Sequence, residues 1–187
     1  MILRLGLLTL FLASSTGTCS LSGGLWKVFE SRTQHFRACY PASWSHLEGL
    51  GGTVDPDVLD IISFTNSQRV KGVVLMPSGA EIQVSRAPGN VHTIKDWVDL
   101  DLRDDVAMEE REISIPKTTE SECKKLRRVT WRSDVSGEGK IFFLYTGYYC
   151  STDTELFRIL LHNWEGDPNQ SRFQTIALKI ARSLRAL

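Results

Sequence analysis

The chain has 187 residues, of which 22 are basic and 22 are acidic, so its formal net charge at pH 7 is zero. A balanced charge gives no overall field that favours nucleic acid or an anionic membrane surface, and we expect neither as a partner. The length suits one ordinary globular domain, and four cysteines predict disulfides in an exported chain.

The amino-terminal segment has the three-part pattern of a secretory signal peptide. Arg4 precedes an apolar run from Leu5 to Ala13, and small residues follow as far as Ser20. The run of about 10 apolar residues is too short to cross a bilayer core of about 30 Å as a helix. We therefore assign residues 1–19 to a signal peptide and expect a periplasmic or secreted protein without a transmembrane span.

The processing point within this segment stays open. Small residues at positions 13 and 15, or at 15 and 17, both suit cleavage. Cys19 adds an alternative, lipid attachment at a new amino terminus. A bacterial lipobox usually has an aliphatic residue three positions before the cysteine and Gly, Ala or Ser just before it. Thr16 and Thr18 occupy these positions, so a lipid anchor at Cys19 remains the second alternative to free secretion.

After a flexible lead at 20–25, residues 26–187 are predicted to form one domain that begins with strands. In "HFRACY", Phe36, Ala38 and Tyr40 alternate with polar neighbours, which is the period of a half-buried strand. Further strands are predicted within 59–65, 72–76, 80–85, 109–116 and 155–164, together with the two arms of a hairpin around 134–140.

The first helix is predicted at about 93–106. Thr93 is a suitable N-cap, and Asp96 can face the free backbone N–H groups of the first turn. The residues that recur with helical spacing on its apolar side are Ile94, Trp97, Val98 and Leu102.

The second helix is predicted at about 168–186 and has the clearest start signal in the chain. Asp167 can cap it, Pro168 suits the first helical position, and Gln170 completes a capping box. Its apolar stripe consists of Phe173, Ile176, Ala177, Ile180, Leu184 and Leu187.

The order of these elements predicts an α+β fold. Neighbouring strands joined by short turns indicate a central, mainly antiparallel sheet. The strand "IFFLYTGYY" at 141–149 is apolar on both faces, so it needs cover above and below. Two amphipathic helices can provide that cover, which predicts a three-layer α/β/α sandwich.

The segment "DVSGEGK" at 134–140 is predicted to be the turn of the central hairpin. A two-residue or four-residue loop centred on Ser136 and Gly137 pairs Trp131 with Phe142 and places Cys123 opposite Cys150. We therefore predict a Cys123–Cys150 disulfide, which leaves Cys39 free or joined to Cys19. A three-residue loop or a bulge would move these partners apart.

Several segments together resemble one superfamily. They are "YPASW" at 40–44, "MPSGAEIQV" at 76–84, "TIKDWV" at 93–98, a long apolar strand pair, and "FQTIALKIARSL" at 173–184. This order is similar to that of the superfamily containing PsbP, the bacterial DcrB-like lipoproteins and the Mog-type Ran-binding protein, over residues 26–187. The resemblance implies a non-catalytic domain that binds or assists another molecule, and it transfers no site residues.

The sequence contains none of the common motifs for hydrolysis, zinc binding or phosphate binding. It contains no G-x-S-x-G elbow, no HExxH and no glycine-rich phosphate loop. The acidic run at 99–110 fails as a calcium loop because Arg103 and Asp104 occupy positions five and six. We assign no catalytic, cofactor-binding or metal-binding residue and expect no cofactor. Four tryptophans, Trp44, Trp97, Trp131 and Trp164, either pack in the core, which is the default, or line an aromatic ligand cleft.

These observations favour an exported, non-catalytic binding or accessory domain. Its partner would be a protein or small molecule in the envelope or outside the cell, and the sequence does not identify it. The alternative is a small secreted hydrolase whose residues converge only in three dimensions, using His162 or His35 with a nearby carboxylate.

Overall fold

The computed structural model describes residues 19, 21, 24–31, 35–48, 62–66, 68–70, 73–75, 79–103, 105–115, 122–134, 139 and 142–187. Apart from Cys19, the predicted signal peptide lies outside these residues, and so does most of the turn at 134–140. None of the helices in the described ranges is long and apolar enough to cross a membrane.

The described elements follow the predicted alternation of strands and helices. In chain order they are β1 (Trp26–Ser31), β2 (Phe36–Pro41), β3 (Ser45–Glu48), β4 (Ile62–Thr65), β5 (Gln68–Val70), β6 (Val73–Leu75), β7 (Ala80–Arg86), α1 (Ile94–Asp101), β8 (Ala107–Glu112), β9 (Lys125–Asp134), β10 (Phe142–Ser151), β11 (Leu156–Trp164), α2 (Gln170–Ser183) and β12 (Arg185–Ala186).

A seven-stranded sheet is the centre of the fold. Its strand order is β3-β4-β7-β11-β10-β9-β8, and each neighbouring pair is antiparallel. Strands β1, β2 and β12 form a smaller antiparallel sheet, and β5 pairs with β6. The predicted α+β class with a mainly antiparallel sheet is confirmed.

Alternate residues of the central strands point to opposite sides of the sheet and pack into two separate hydrophobic clusters. On β11, Phe157 and Ile159 pack into a cluster with α2 and the small sheet, whereas Leu160 packs into a cluster with α1. We call the surface that carries Phe157 and Ile159 the first face of the sheet and the surface that carries Leu160 the second face. On β10, for which the sequence predicted cover on both faces, Tyr148 and Cys150 pack into the first cluster and Tyr149 into the second.

The start of α1 is confirmed. The Thr93 side chain accepts a hydrogen bond from Asp96 N, and the Asp96 carboxylate accepts one from Thr93 N. The predicted end at 106 is wrong, because α1 ends at Asp101 and the chain enters the edge strand β8 at Ala107. Beyond Asp101 the backbone makes tight turns, in which Arg103 N donates to Leu100 O and Asp105 N donates to Leu102 O, and these turns lead into β8.

The limits of α2 also differ from the prediction. Asp167 caps a preceding turn, since its Oδ1 accepts a hydrogen bond from Asn169 N at 2.7 Å and its backbone oxygen accepts one from Gln170 N at 3.0 Å. The predicted capping box does not form, and the helix begins at Gln170 with no side-chain cap. It ends at Ser183, because Arg185 and Ala186 pair with β2 as strand β12.

The predicted hairpin register is wrong by three residues. Phe142 lies opposite Asp134 instead of Trp131, and Cys150 lies opposite Leu126 instead of Cys123. The strands end earlier than a two-residue or four-residue loop requires, so residues 135–141 separate them. This connection is centred on position 138 instead of between 136 and 137, and the displaced centre moves every cross-strand partner.

The structure nevertheless joins Cys123 to Cys150, with a Cα–Cα distance of 5.4 Å. Cys123 precedes β9 and reaches Cys150 from outside the regular ladder, where Lys124 N donates to Ser151 O at 2.7 Å. A second disulfide joins Cys19 to Cys39 across a Cα–Cα distance of 6.0 Å. It ties the amino-terminal lead to β2 and corresponds to one of the two alternatives left open for Cys39.

Candidate binding face

The four tryptophans do not line one cleft. Trp44 is buried in the first cluster, where its ring centroid lies 6.2 Å from that of Phe173. Trp97 is a residue of α1 and is fully buried against the second face. Trp131 is buried and Trp164 half-buried on two strands of the central sheet. These two belong to a set of rings that the sequence did not reveal, because it is assembled from different strands.

A row of stacked side chains crosses four strands of the second face. Trp131 lies opposite Tyr145, Tyr145 opposite His162, and His162 opposite Glu81. The Trp131 and Tyr145 rings stack with centroids 5.4 Å apart, and the Tyr145 and His162 rings with centroids 5.8 Å apart. His162 Nε2 lies 3.1 Å from Glu81 Oε2. We call these four residues the aromatic row.

Two further rings extend the row towards solvent. Phe143 and Trp164 are cross-strand partners whose ring centroids lie 4.5 Å apart, and Phe143 also packs edge-on against Tyr145. Phe143, Tyr145 and Trp164 are half-buried. Rings of this kind offer large contact area at low cost in side-chain entropy, which is a property of binding surfaces.

Burial affects the ionisation of the polar groups in the row. Burial raises the pKa of Tyr145, and the negative charges of Asp105 and Glu81 raise this pKa further. The Tyr145 hydroxyl is therefore neutral at physiological pH and acts as a hydrogen-bond donor. Glu81, of which 5% is exposed, supplies the carboxylate at the end of the row. The row thus combines stacking surfaces with the polar groups of Tyr145 and Glu81.

A buried polar anchor holds α1 beside the row. The Asp101 carboxylate accepts a hydrogen bond from the Tyr149 hydroxyl at 2.6 Å and forms an ion pair with Arg158, whose guanidinium also lies over the Trp97 ring. Burial, followed by the charge of Asp101, raises the pKa of Tyr149 well above its ordinary value. The anchor fixes α1 over one part of the second face, next to the aromatic row.

Gly147 makes the position of Tyr149 possible. A Cβ atom on Gly147 would lie 2.7 Å from Tyr149 Cε2, closer than a side chain permits. The two residues share the second face, because they are two positions apart on β10. Glycine is therefore required where the Tyr149 ring folds back along its own strand. An isolated glycine within a strand pattern is the sequence signal that indicates such a close approach.

The histidines predicted for a hydrolase are separated in the structure. His162 has a carboxylate neighbour in Glu81, but His35 lies in the turn between β1 and β2, where its backbone oxygen accepts a hydrogen bond from Leu187 N. Within the described residues, no serine, threonine or cysteine is hydrogen-bonded to His162. A search of the same residues finds no group of three His, Cys, Asp or Glu side chains placed to hold a metal ion.

Among the comparisons with known proteins, only the one with solved structures found matches. No protein-family model and no curated protein match this chain. Among solved structures, the Saccharomyces cerevisiae Ran-binding protein Mog1p matches with a TM-score of 0.52 and 11% identity, over 88% of this chain and 96% of Mog1p. The chain has the fold of Mog1p. The sequence resemblance is thereby confirmed at the level of fold.

Two other matches have lower TM-scores. The cyanobacterial PsbP (CyanoP) of Synechocystis sp. PCC 6803 gives a TM-score of 0.48 and 14% identity, over 91% of this chain and 98% of CyanoP. A Bacteroides thetaiotaomicron protein gives a TM-score of 0.49 and 17% identity, and the match covers 86% of this chain but 48% of that protein.

Proposed function

We propose that this chain is an exported, non-catalytic binding or accessory domain, which engages a protein or small-molecule partner through the aromatic row together with Phe143 and Trp164. The half-buried rings of Phe143, Tyr145 and Trp164, which are in contact through Phe143 and backed by the buried Trp131, carry this proposal. A few clustered aromatic side chains supply most of the binding energy in many interfaces. The description of Mog1p as a Ran-binding protein supports a protein partner.

The proposed domain comprises residues 26–187 in a three-layer α/β/α arrangement. Support for it comes from the two clusters on opposite sides of the central sheet, one containing α2 and the other α1. In this arrangement the helices provide rigid cover, and the aromatic row is the part of the second face that lies beside α1. Binding residues placed on strands are held more rigidly than residues placed on loops.

Export is supported by the two disulfides, since such bonds persist in oxidising compartments. The Cys19–Cys39 bond also bears on processing. A cysteine sulfur in a disulfide has no free valence for the thioether of a lipid anchor, so the two states of Cys19 exclude each other. The disulfide therefore favours free secretion, with cleavage at a point that leaves Cys19 in the mature chain.

Mass spectrometry of the purified mature protein tests this processing. We expect an amino terminus at or before Cys19, no acyl group on this residue, and a non-reduced peptide that contains both Cys19 and Cys39. An intact unprocessed chain would contradict export. An acylated Cys19, or an amino terminus beyond it, would contradict free secretion with this disulfide.

The hydrolase alternative receives less support. His162 and Glu81 could serve as a base and its orienting carboxylate, but their contact is made through Nε2, and Nε2 is buried without a hydrogen-bond partner of suitable geometry. The ring itself is stacked on Tyr145. A general base must reach the proton that it abstracts. The described surroundings of His162 provide stacking and burial instead of a nucleophile.

The Trp164→Ala variant tests the binding face. Tagged wild-type protein should retain its partner from extracellular or envelope extracts of the source cell. Trp164→Ala should weaken the purified interaction at least tenfold, because a large, half-buried aromatic contact is lost. Val106→Ala is the matched control, since Val106 is an exposed apolar residue outside the row. Equal affinities of the wild type and Trp164→Ala, with Val106→Ala reduced instead, would place the interface elsewhere.

A further inference from the structure

On the first face, opposite the aromatic row, two arginines from neighbouring strands lie directly across from each other. Arg111 of the edge strand β8 is the cross-strand partner of Arg128 on β9. Like charges in direct opposition destabilise a sheet. One carboxylate, that of Glu109, serves both: its Oε1 lies 3.5 Å from Arg111 Nε, and its Oε2 forms an ion pair with Arg128.

A third guanidinium comes from the helix above. Arg182 of α2 donates a hydrogen bond from Nη2 to Ser114 O at 3.3 Å, immediately beyond the end of β8. The positive charges of Arg128, Arg111 and Arg182 all act to lower the pKa of the Tyr148 hydroxyl, against the larger raising effect of burial. Tyr148 is also the cross-strand partner of Arg128, and its hydroxyl donates to Gln174 O on α2, the helix that carries Arg182.

Donors in this region are left without acceptors. Arg128 Nε and Arg182 Nε are shielded from solvent and have no hydrogen-bond partner in the described part of the chain. The hydroxyl of Thr130, which shares a face with Arg128 on the same strand, is also without a partner there. Buried donors normally have acceptors, and buried guanidinium donors most of all.

We propose that Arg111, Arg128 and Arg182 bind a tetrahedral oxyanion, either free phosphate or the phosphoryl group of a larger molecule. Three guanidiniums against the one carboxylate of Glu109 leave a positive excess in a chain that is neutral overall. A tetrahedral oxyanion presents enough oxygens to bridge donors from three elements, whereas a carboxylate has two. Planar guanidinium groups suit this geometry.

Access to the site comes from the edge of the sheet. Arg128 is 11% exposed in its side chain, whereas Arg111 is 53% exposed. Arg111 can therefore meet an incoming anion while Arg128 holds it at the buried end. The site lies on the first face and the aromatic row on the second, so it does not depend on the proposed binding function.

Phosphate titration of the full mature protein tests the site, at pH 7.5 and with ionic strength held constant by sodium chloride. We expect a saturable rise in Tm of about 3–6 °C at ten times the dissociation constant. The Nε–H resonance of Arg128 should shift with the same saturation. In chloride alone, Arg111→Gln should keep the wild-type Tm within about 2 °C, because Arg111 is exposed, and it should lose the saturable response to phosphate.

Arg172→Gln is the control, since Arg172 is an exposed arginine on α2 outside the cluster. The Arg172→Gln variant should show the same saturable rise in Tm with phosphate as the wild type. Because phosphate also stabilises proteins in general, this control shows that losing an exposed arginine does not by itself change the response. Phenyl phosphate separates the two sources: tighter binding than inorganic phosphate indicates a phosphoryl group on a larger molecule, and weaker binding indicates the free ion. An unsaturable response, or an equal response in Arg111→Gln, would overturn the proposal.

Discussion

Replacing Asp101 by alanine is expected to lower the free energy of unfolding by about 3–5 kcal/mol, a large part of the stability of an ordinary domain. The Asp101 carboxylate is the ion-pair partner of Arg158 and the acceptor of the Tyr149 hydroxyl. The side chains of Arg158 and Asp101 are only 7% and 8% exposed. Alanine would leave the Arg158 charge buried without its carboxylate. Urea unfolding followed by circular dichroism measures the loss.

Asp99→Ala is the matched control on the same helix. Asp99 pairs with Lys95 at 2.5 Å, but the two side chains are 60% and 75% exposed. Exposed pairs of this kind contribute about 0–1 kcal/mol. Similar losses for Asp99→Ala and Asp101→Ala would show that general helix electrostatics, and not the buried anchor, holds α1 in place.

The double variant Asp101→Leu/Arg158→Met tests the cause more directly. Both charges are then replaced by apolar groups of similar size, and such replacements are often neutral or stabilising. We expect the double variant to recover most of the stability that Asp101→Ala loses, although Tyr149 keeps an unpaired hydroxyl. A double variant as unstable as the single one would mean that the polar anchor supplies specific packing that apolar side chains do not replace.

Removing the Cys123–Cys150 disulfide is expected to cost about 3–4 kcal/mol, because it releases a long loop in the unfolded chain. The bond spans a sequence separation of 27 residues. Cys150 is fully buried and Cys123 is 5% exposed, both within the first cluster. The variant Cys123→Ala/Cys150→Ala therefore also loses packing around α2. Equilibrium unfolding in urea, compared with the wild type, measures the change.

Cys19→Ala/Cys39→Ala provides the comparison. Its disulfide spans a similar separation of 20 residues, but it holds a short lead, in which Leu25 O accepts a hydrogen bond from Ala42 N. Without the bond, this lead is free in both the folded and the unfolded chain, so less stability is lost. We expect about half the effect of the other variant or less.

Stepwise reduction separates the two bonds in the wild type. Cys19 and Cys39 are half-buried, so dithiothreitol should reduce this bond first and reach Cys123–Cys150 only on unfolding. Alkylation followed by peptide mapping gives the order. A non-reduced map that links Cys39 to Cys123 or Cys150 would contradict both disulfide assignments.

Local sequence patterns predicted most elements of the fold but not their ends. The cap formed by Thr93 and Asp96 marked the start of α1 because capping needs only residues three positions apart. The end of α2 was missed because Arg185 and Ala186 pair with β2, which lies far away in sequence. Pairing of this kind overrides helical spacing and leaves no local signal.

The hairpin shows the same limit on a smaller scale. The sequence indicated two long apolar strands and a turn between them, and Cys123 as the partner of Cys150. The register depended on where the turn is centred, and a shift of this centre towards the carboxyl terminus moved Phe142 from Trp131 to Asp134. Cys123 still reaches Cys150, but from outside the ladder.

The sequence by itself determined the alternation of strands and helices, the α+β class and the absence of familiar catalytic motifs. These follow from neighbours along the chain. Tertiary structure alone decided that Trp131, Tyr145, His162 and Glu81 form one row, because each comes from a different strand. Strand order and register bring such side chains together, and both are set by the packing of the whole sheet.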